Sequence, residues 1–98
     1  MSAPLELCCL LWANPGLTDD LARYEDTVLA LVADHHGTVV SRAIGGGADG
    51  TPHEVQLFRF RDQAALDAYL ADPRRSLLAS ERDHVVARTE LFPVRLHG

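Results

Sequence analysis

Residues 5–13 read LELCCLLWA, and the fold follows from them. Strand side chains alternate between two faces. Leu5, Leu7, Cys9 and Leu11 fall on one face, Cys8, Leu10 and Trp12 on the other, with Glu6 the only charge. A strand that is apolar on both faces is covered on both faces. The chain must therefore provide, or recruit, two layers of cover.

Outward from this strand, Asn14-Pro15-Gly16 reads as a turn. Thr18-Asp19-Asp20 opens a helix, with Thr18 as N-cap and two carboxylates at the positive end of the dipole. Leu17, Leu21, Tyr24, Val28, Leu31, Val32 and His35 share one stripe, opposite Asp19, Arg23, Asp26, Ala30 and Asp34. Gly37 is expected to be the left-handed cap that ends this helix. Thr38 to Ile44 is a β-branched second strand, and a Gly-rich loop over 45–53 leads to a third strand, Glu54 to Phe60. Val55 and Leu57 take one side of it, Phe58 and Phe60 the other. Asp62 caps a second helix with Ala65, Leu66, Tyr69 and Leu70 on its apolar side. Asp72-Pro73 breaks it, because the residue before proline avoids the helical region. Leu77, Leu78 and Val85 mark a further helical segment, and Thr89 to Leu96 a last strand in which Pro93 signals an edge.

The order β-α-β-β-α-β is the ferredoxin-like split βαβ arrangement of the α+β class, a four-stranded antiparallel sheet. The 98 residues, 1–98, form a single domain. The first and third strands are central and both helices cover one face. Nothing remains for the other face, so a second copy is expected to cover it, sheet on sheet, as a homodimeric α/β barrel. Arg59, in phase with Val55 and Leu57, is expected at that interface, paired with Glu54 or Glu90.

Composition narrows the function. The nine basic residues are all Arg and are outnumbered by fourteen acidic ones, a net charge of −5. Without Lys there is no phosphate-binding P-loop and no Schiff base on the protein's own amine. An acidic chain with no basic run does not suit nucleic acid or an anionic membrane surface. The apolar run Cys8 to Ala13 is far too short to span a bilayer, and no positive charge precedes it as in a signal peptide. Adjacent Cys8 and Cys9 point to opposite faces and read as reduced thiols of a cytoplasmic protein. No metal site is expected: His35 and His36 do not share a helix face, and the cysteines lack ligand spacing.

The segments His35-His36-Gly37-Thr38-Val39-Val40-Ser41-Arg42 and Phe60…Asp62…Ala65…Tyr69…Asp72-Pro73 resemble signatures of the dimeric α/β-barrel superfamily. That group includes antibiotic-biosynthesis monooxygenases, muconolactone isomerases and short branches of unknown function. The likeness is closest to one such branch and covers residues 5 to 96. Arg82 corresponds to a helical Arg of that branch. His36 departs from it by replacing a Gly, and Arg75 by standing where the branch has Tyr.

The candidate catalytic residues are Arg42 and His35. Arg42 ends an apolar strand on the face of Val40 and Ile44, where a guanidinium can hold a carboxylate or enolate; the structural alternative is an ion pair. His35, on the helix stripe, can move a proton or serve as a satisfied core residue. Trp12, Tyr24 and Tyr69 can wall an apolar pocket, or simply fill the core, and His53 and Arg82 complete the candidate ligand-binding set. Two readings follow. One is a cofactor-independent enzyme of isomerase, cyclase or monooxygenase type, the types the resemblance implies, acting on a small anionic or enolisable metabolite. The other is a non-catalytic homodimer that binds a metabolite or is structural.

Overall fold

The computed structural model describes residues 3–97. Strand β1 (Leu5–Ala13) leads to helix α1 (Thr18–Leu29), a 3-10 turn (Val32–His35) and β2 (Gly37–Ile44). A loop follows, then β3 (Glu54–Phe60), helices α2 (Gln63–Leu70), α3 (Pro73–Ser76) and α4 (Ala79–Val85), and β4 (Val86–Pro93). All pairings are antiparallel and the sheet order is β2-β3-β1-β4, which makes β1 and β3 central as the order of elements requires.

The alternation in β1 separates two environments. Leu7, Cys9, Leu11 and Ala13 are buried under the helices with Leu21, Tyr24, Val28, Phe58, Phe60 and Tyr69. Glu6, Cys8, Leu10 and Trp12 face the other way, beside their cross-strand partners Arg59, Leu57, Val55, Arg88, Glu90 and Phe92. Arg59 lies on this open face and pairs within the chain with Glu6 at 2.9 Å. Glu54 is unavailable to it, because in β3 it is in phase with Phe58 and Phe60 and is buried under the helices.

Several local expectations are corrected. Leu17, not Thr18, occupies the α1 N-cap, and no side chain caps that end. His36, with φ 57°, takes the left-handed position assigned to Gly37. Gly37 serves a different purpose: a Cβ there would stand 2.6 Å from the Phe60 ring and 2.7 Å from Val32. Glycine thus lets the fully buried Phe60 ring sit against the backbone of β2. The last strand begins at Val86 rather than Thr89, directly from the end of α4, and stops at Pro93. Asp62 does cap α2, accepting from Ala65 N at 2.9 Å, and Asp72 caps α3 in the same way through Arg74 N at 2.8 Å.

A bulge at Val40 changes the meaning of β2. Val39 pairs with Phe58, but Ser41 pairs with Leu57 and Arg42 with Gln56. The extra residue reverses the phase of the strand. Arg42 therefore shares the helix-side face with Val39 and Ile44, and Val40 stands out of that row at 42% exposure. Among the described residues no helix is long and apolar enough to cross a membrane.

Candidate functional site

A cavity of about 330 Å³ lies between the sheet and the helices, large enough for a small metabolite. Its floor is β1 and β3, through Leu7, Cys9, Leu11, Phe58 and Phe60. Leu66, Tyr69 and Tyr24 form apolar walls, and Val86, Thr89 and Leu91 bring β4 to its side. The charged and amide side chains that line it are Glu25 from α1, Gln56 from β3, Arg75 from α3 and Arg82 from α4.

Glu25 is 5% exposed. Burial raises its pKa above the ordinary carboxylate value. The hydrogen bond from Gln56 Nε2, 2.8 Å from Glu25 Oε1, opposes that shift, and the charge of Glu54 adds to it. Arg75 Nη1 donates to the Tyr69 hydroxyl at 3.0 Å, and the guanidinium lies 4.6 Å from the centre of the Tyr69 ring. Tyr69 in turn donates to Val28 O at 3.3 Å, and burial pushes its own pKa up to about 12. Arg75 Nε is buried with no hydrogen-bond partner among the described residues. A buried guanidinium N–H normally has one, so the hydrogen-bonding capacity of this cavity-lining side chain is not filled by the fold. Cys9 also lines the cavity, and burial raises its thiol to about 12, which keeps it protonated and unreactive at neutral pH.

Of the residues singled out from sequence, Tyr24, Tyr69 and Arg82 line the cavity. The others are elsewhere. Trp12 lies on the open face, its Nε1 donating to Gly50 O at 2.8 Å and the Arg88 guanidinium 4.6 Å from its ring. His53 Nδ1 accepts from Ala13 N at 3.0 Å and fastens the 45–53 loop to the end of β1. His35 Nε2 is 2.7 Å from Asp72 Oδ2, outside the cavity lining. Bonds from Arg74 first, and from His35 second, hold the Asp72 carboxyl well below the usual carboxylate range. Arg42 is likewise outside: Nε and Nη2 reach Glu54 at 2.7 and 3.2 Å, Nη2 also reaches Ala22 O at 2.9 Å, and Nη1 meets Asp26. The two candidate catalytic residues are thus not brought together, and each is bound to carboxylates of the fold.

Glu25, Gln56 and Arg75 are the functional candidates missed from sequence. Glu25 lies four residues after Leu21 and three before Val28, on the buried stripe of α1. A carboxylate on such a stripe is a readable signal, as is Gln56 in phase with Phe58 and Phe60. Among the described residues no group of three His, Cys, Asp or Glu side chains is placed to hold a metal ion.

The fold can be matched to solved structures. PA3566 from Pseudomonas aeruginosa superposes with a TM-score of 0.75 at 21% identity, over 99% of this chain and 98% of that one. A dabb-family protein of Mesorhizobium loti with a ferredoxin-like fold matches at a TM-score of 0.70 and 13% identity, over 99% and 100% of the two chains. The fold is ferredoxin-like. A candidate antibiotic biosynthesis monooxygenase of Bacteroides thetaiotaomicron has the same ferredoxin-like frame, with a TM-score of 0.71 at 14% identity over 95% of this chain and 89% of that one. At these identities the likeness is one of fold, and fold does not carry function. No family model and no curated protein matches the chain.

Proposed function

We propose that this ferredoxin-like protein is a cofactor-independent enzyme acting on a small anionic or enolisable metabolite in the cavity between sheet and helices. The observation that carries the reading is that Arg75, whose buried Nε has no partner among the described residues, lines the same cavity as the buried Glu25. Arg75 holds the ligand's negative charge by a charge-assisted hydrogen bond. Gln56 occupies Oε1 of Glu25, and the second oxygen takes a proton from carbon and returns it. As the proton leaves, the electron pair moves onto the ligand oxygen, where the cation stabilises it. This proton transfer is common to isomerase and cyclase chemistry and can begin a monooxygenase reaction on an enol.

The protein acts as a homodimer in the cytoplasm. Half-buried Cys8, Leu10, Val55 and Leu57, with Phe92 at 39% exposure, form an apolar field on the open face that suits a second copy. Free Cys8 and Cys9 suit a reducing compartment.

The binding half of the reading is tested with phenylpyruvate, a carboxylate with an enolisable carbon and an apolar body. In calorimetric titration Arg75→Met is expected to lose about 10–100-fold in affinity, the worth of a hydrogen bond to a charged group. Equal affinity in the two proteins overturns the anion role of Arg75. Tight binding without proton exchange selects the second reading, a metabolite-binding homodimer.

A further inference from the structure

We infer that Glu54 and Gln56 are positioning residues for Glu25, with Arg42 as the anchor of the chain, so that the state of the cavity carboxyl is set from the edge of the sheet. The inference rests on the proton role proposed for Glu25. Gln56 Nε2 donates to two carboxylates, Glu25 Oε1 at 2.8 Å and Glu54 Oε2 at 2.5 Å. An amide nitrogen has two hydrogens, and both are engaged. The reversed amide would set its oxygen against two carboxylates, so the side chain has one orientation. Glu54 Oε2 also accepts from Arg42 Nε, which Ala22 O and Asp26 hold in place from α1. The chain Arg42–Glu54–Gln56–Glu25 therefore runs from β2 through β3 to α1, and Glu54 and Gln56 are each 1% exposed.

A core that needed only stability would not place two carboxylates on one amide. Unpaired buried charge is costly, and apolar residues of equal volume pack at least as well. The arrangement has a specific consequence instead. Gln56 steadies one oxygen of Glu25, while a charge on Glu54 makes a second negative charge at Glu25 harder to form. The titratable and charged groups near enough for their charge to act on Glu25 are Cys9 from β1, Arg42 from β2, Glu54 from β3, Tyr24 on its own helix, Tyr69 from α2 and Arg75 from α3. Arg42, whose pKa its bond to Glu54 raises further, stays charged through the carboxylate range, and burial keeps Cys9, Tyr24 and Tyr69 neutral there. Removing the charge of Glu54 and removing the donor of Gln56 move Glu25 in opposite directions.

The test is a pH titration of protein carrying carboxyl-¹³C glutamate, followed by NMR, with Glu25→Gln used to assign the Glu25 signal. Glu54→Gln is expected to lower the Glu25 midpoint by about half a pH unit or more, because a repelling charge is gone. Gln56→Leu is expected to raise it by a similar amount, because the donor to the ionised form is gone. A merely structural role would change melting temperature and leave the midpoint where it was. A Glu25 midpoint unchanged in folded Glu54→Gln overturns the inference; this isosteric variant decides the matter alone if Gln56→Leu does not fold. The titration uses no substrate. A shifted midpoint together with undiminished proton exchange in Glu25→Gln therefore leaves the positioning chain standing and removes the proposed proton role.

Discussion

Phe60→Ala is expected to cost about 3–5 kcal/mol of folding stability, the range for truncating a fully buried aromatic ring. Phe60 is 1% exposed and sits where three elements meet. Its ring centre is 5.6 Å from that of Tyr69 on α2 and 6.2 Å from that of Phe58 on the same strand. On β2 the ring rests against Gly37, the residue without a side chain that makes room for it. Alanine would leave a void that the rigid strand pair cannot close, and the aromatic contacts would go with it. A domain of this size has about 5–15 kcal/mol in total, so the variant should melt far below the wild type. Thermal and urea unfolding followed by circular dichroism measure the loss. A cost below about 1 kcal/mol would mean that the core closes around the gap and that Gly37 is not fitted to the ring.

Arg42→Ala is expected to cost about 3 kcal/mol, chiefly through what it leaves behind. Glu54 is 1% exposed and takes two hydrogen bonds from Arg42. Without the guanidinium it becomes a buried carboxylate facing Glu25 across one amide. The contact with Asp26, which is 64% exposed at its side chain, adds little. The double variant Arg42→Ala, Glu54→Gln should recover most of the loss, because the stranded charge is gone. Double-mutant unfolding curves give the answer. Additive costs would show that Arg42 contributes packing rather than charge compensation.

The frame of the molecule was legible in LELCCLLWA and in the order of elements. The order of elements places the first and third strands at the centre, and β1 and β3 occupy it. Pro93 announced an edge, and β4 is one. What sequence could not convey was phase. The bulge at Val40 leaves no mark in Thr38-Val39-Val40-Ser41, yet it turns Arg42 onto the helix side and into an ion pair. The first helix loosens into a 3-10 turn after Leu29, so extrapolating its stripe to His35 led to a contact with Asp72 rather than to the cavity. Arg75 was noted as a departure from the branch it resembles. Only the placement of α3 shows that its side chain lines the cavity and that its Nε is buried without a partner among the described residues. Glu25 and Gln56 were available to the same periodicity that identified Leu21, Val28 and Phe58. An apolar stripe does not by itself mark the polar residues that share its phase.

The central claim, that Glu25 moves a proton on a ligand held by Arg75, is tested most directly by exchange at carbon. Phenylpyruvate is incubated with the protein in D₂O, and loss of its CH₂ proton signal is followed by NMR, with acetoacetate as a second probe. The wild type is expected to accelerate exchange over buffer, and Glu25→Gln to reduce that acceleration at least about 100-fold, the lower range for general acid–base catalysis. Exchange equally fast in Glu25→Gln and wild type, or no faster in the wild type than in buffer for either probe despite binding, would contradict it.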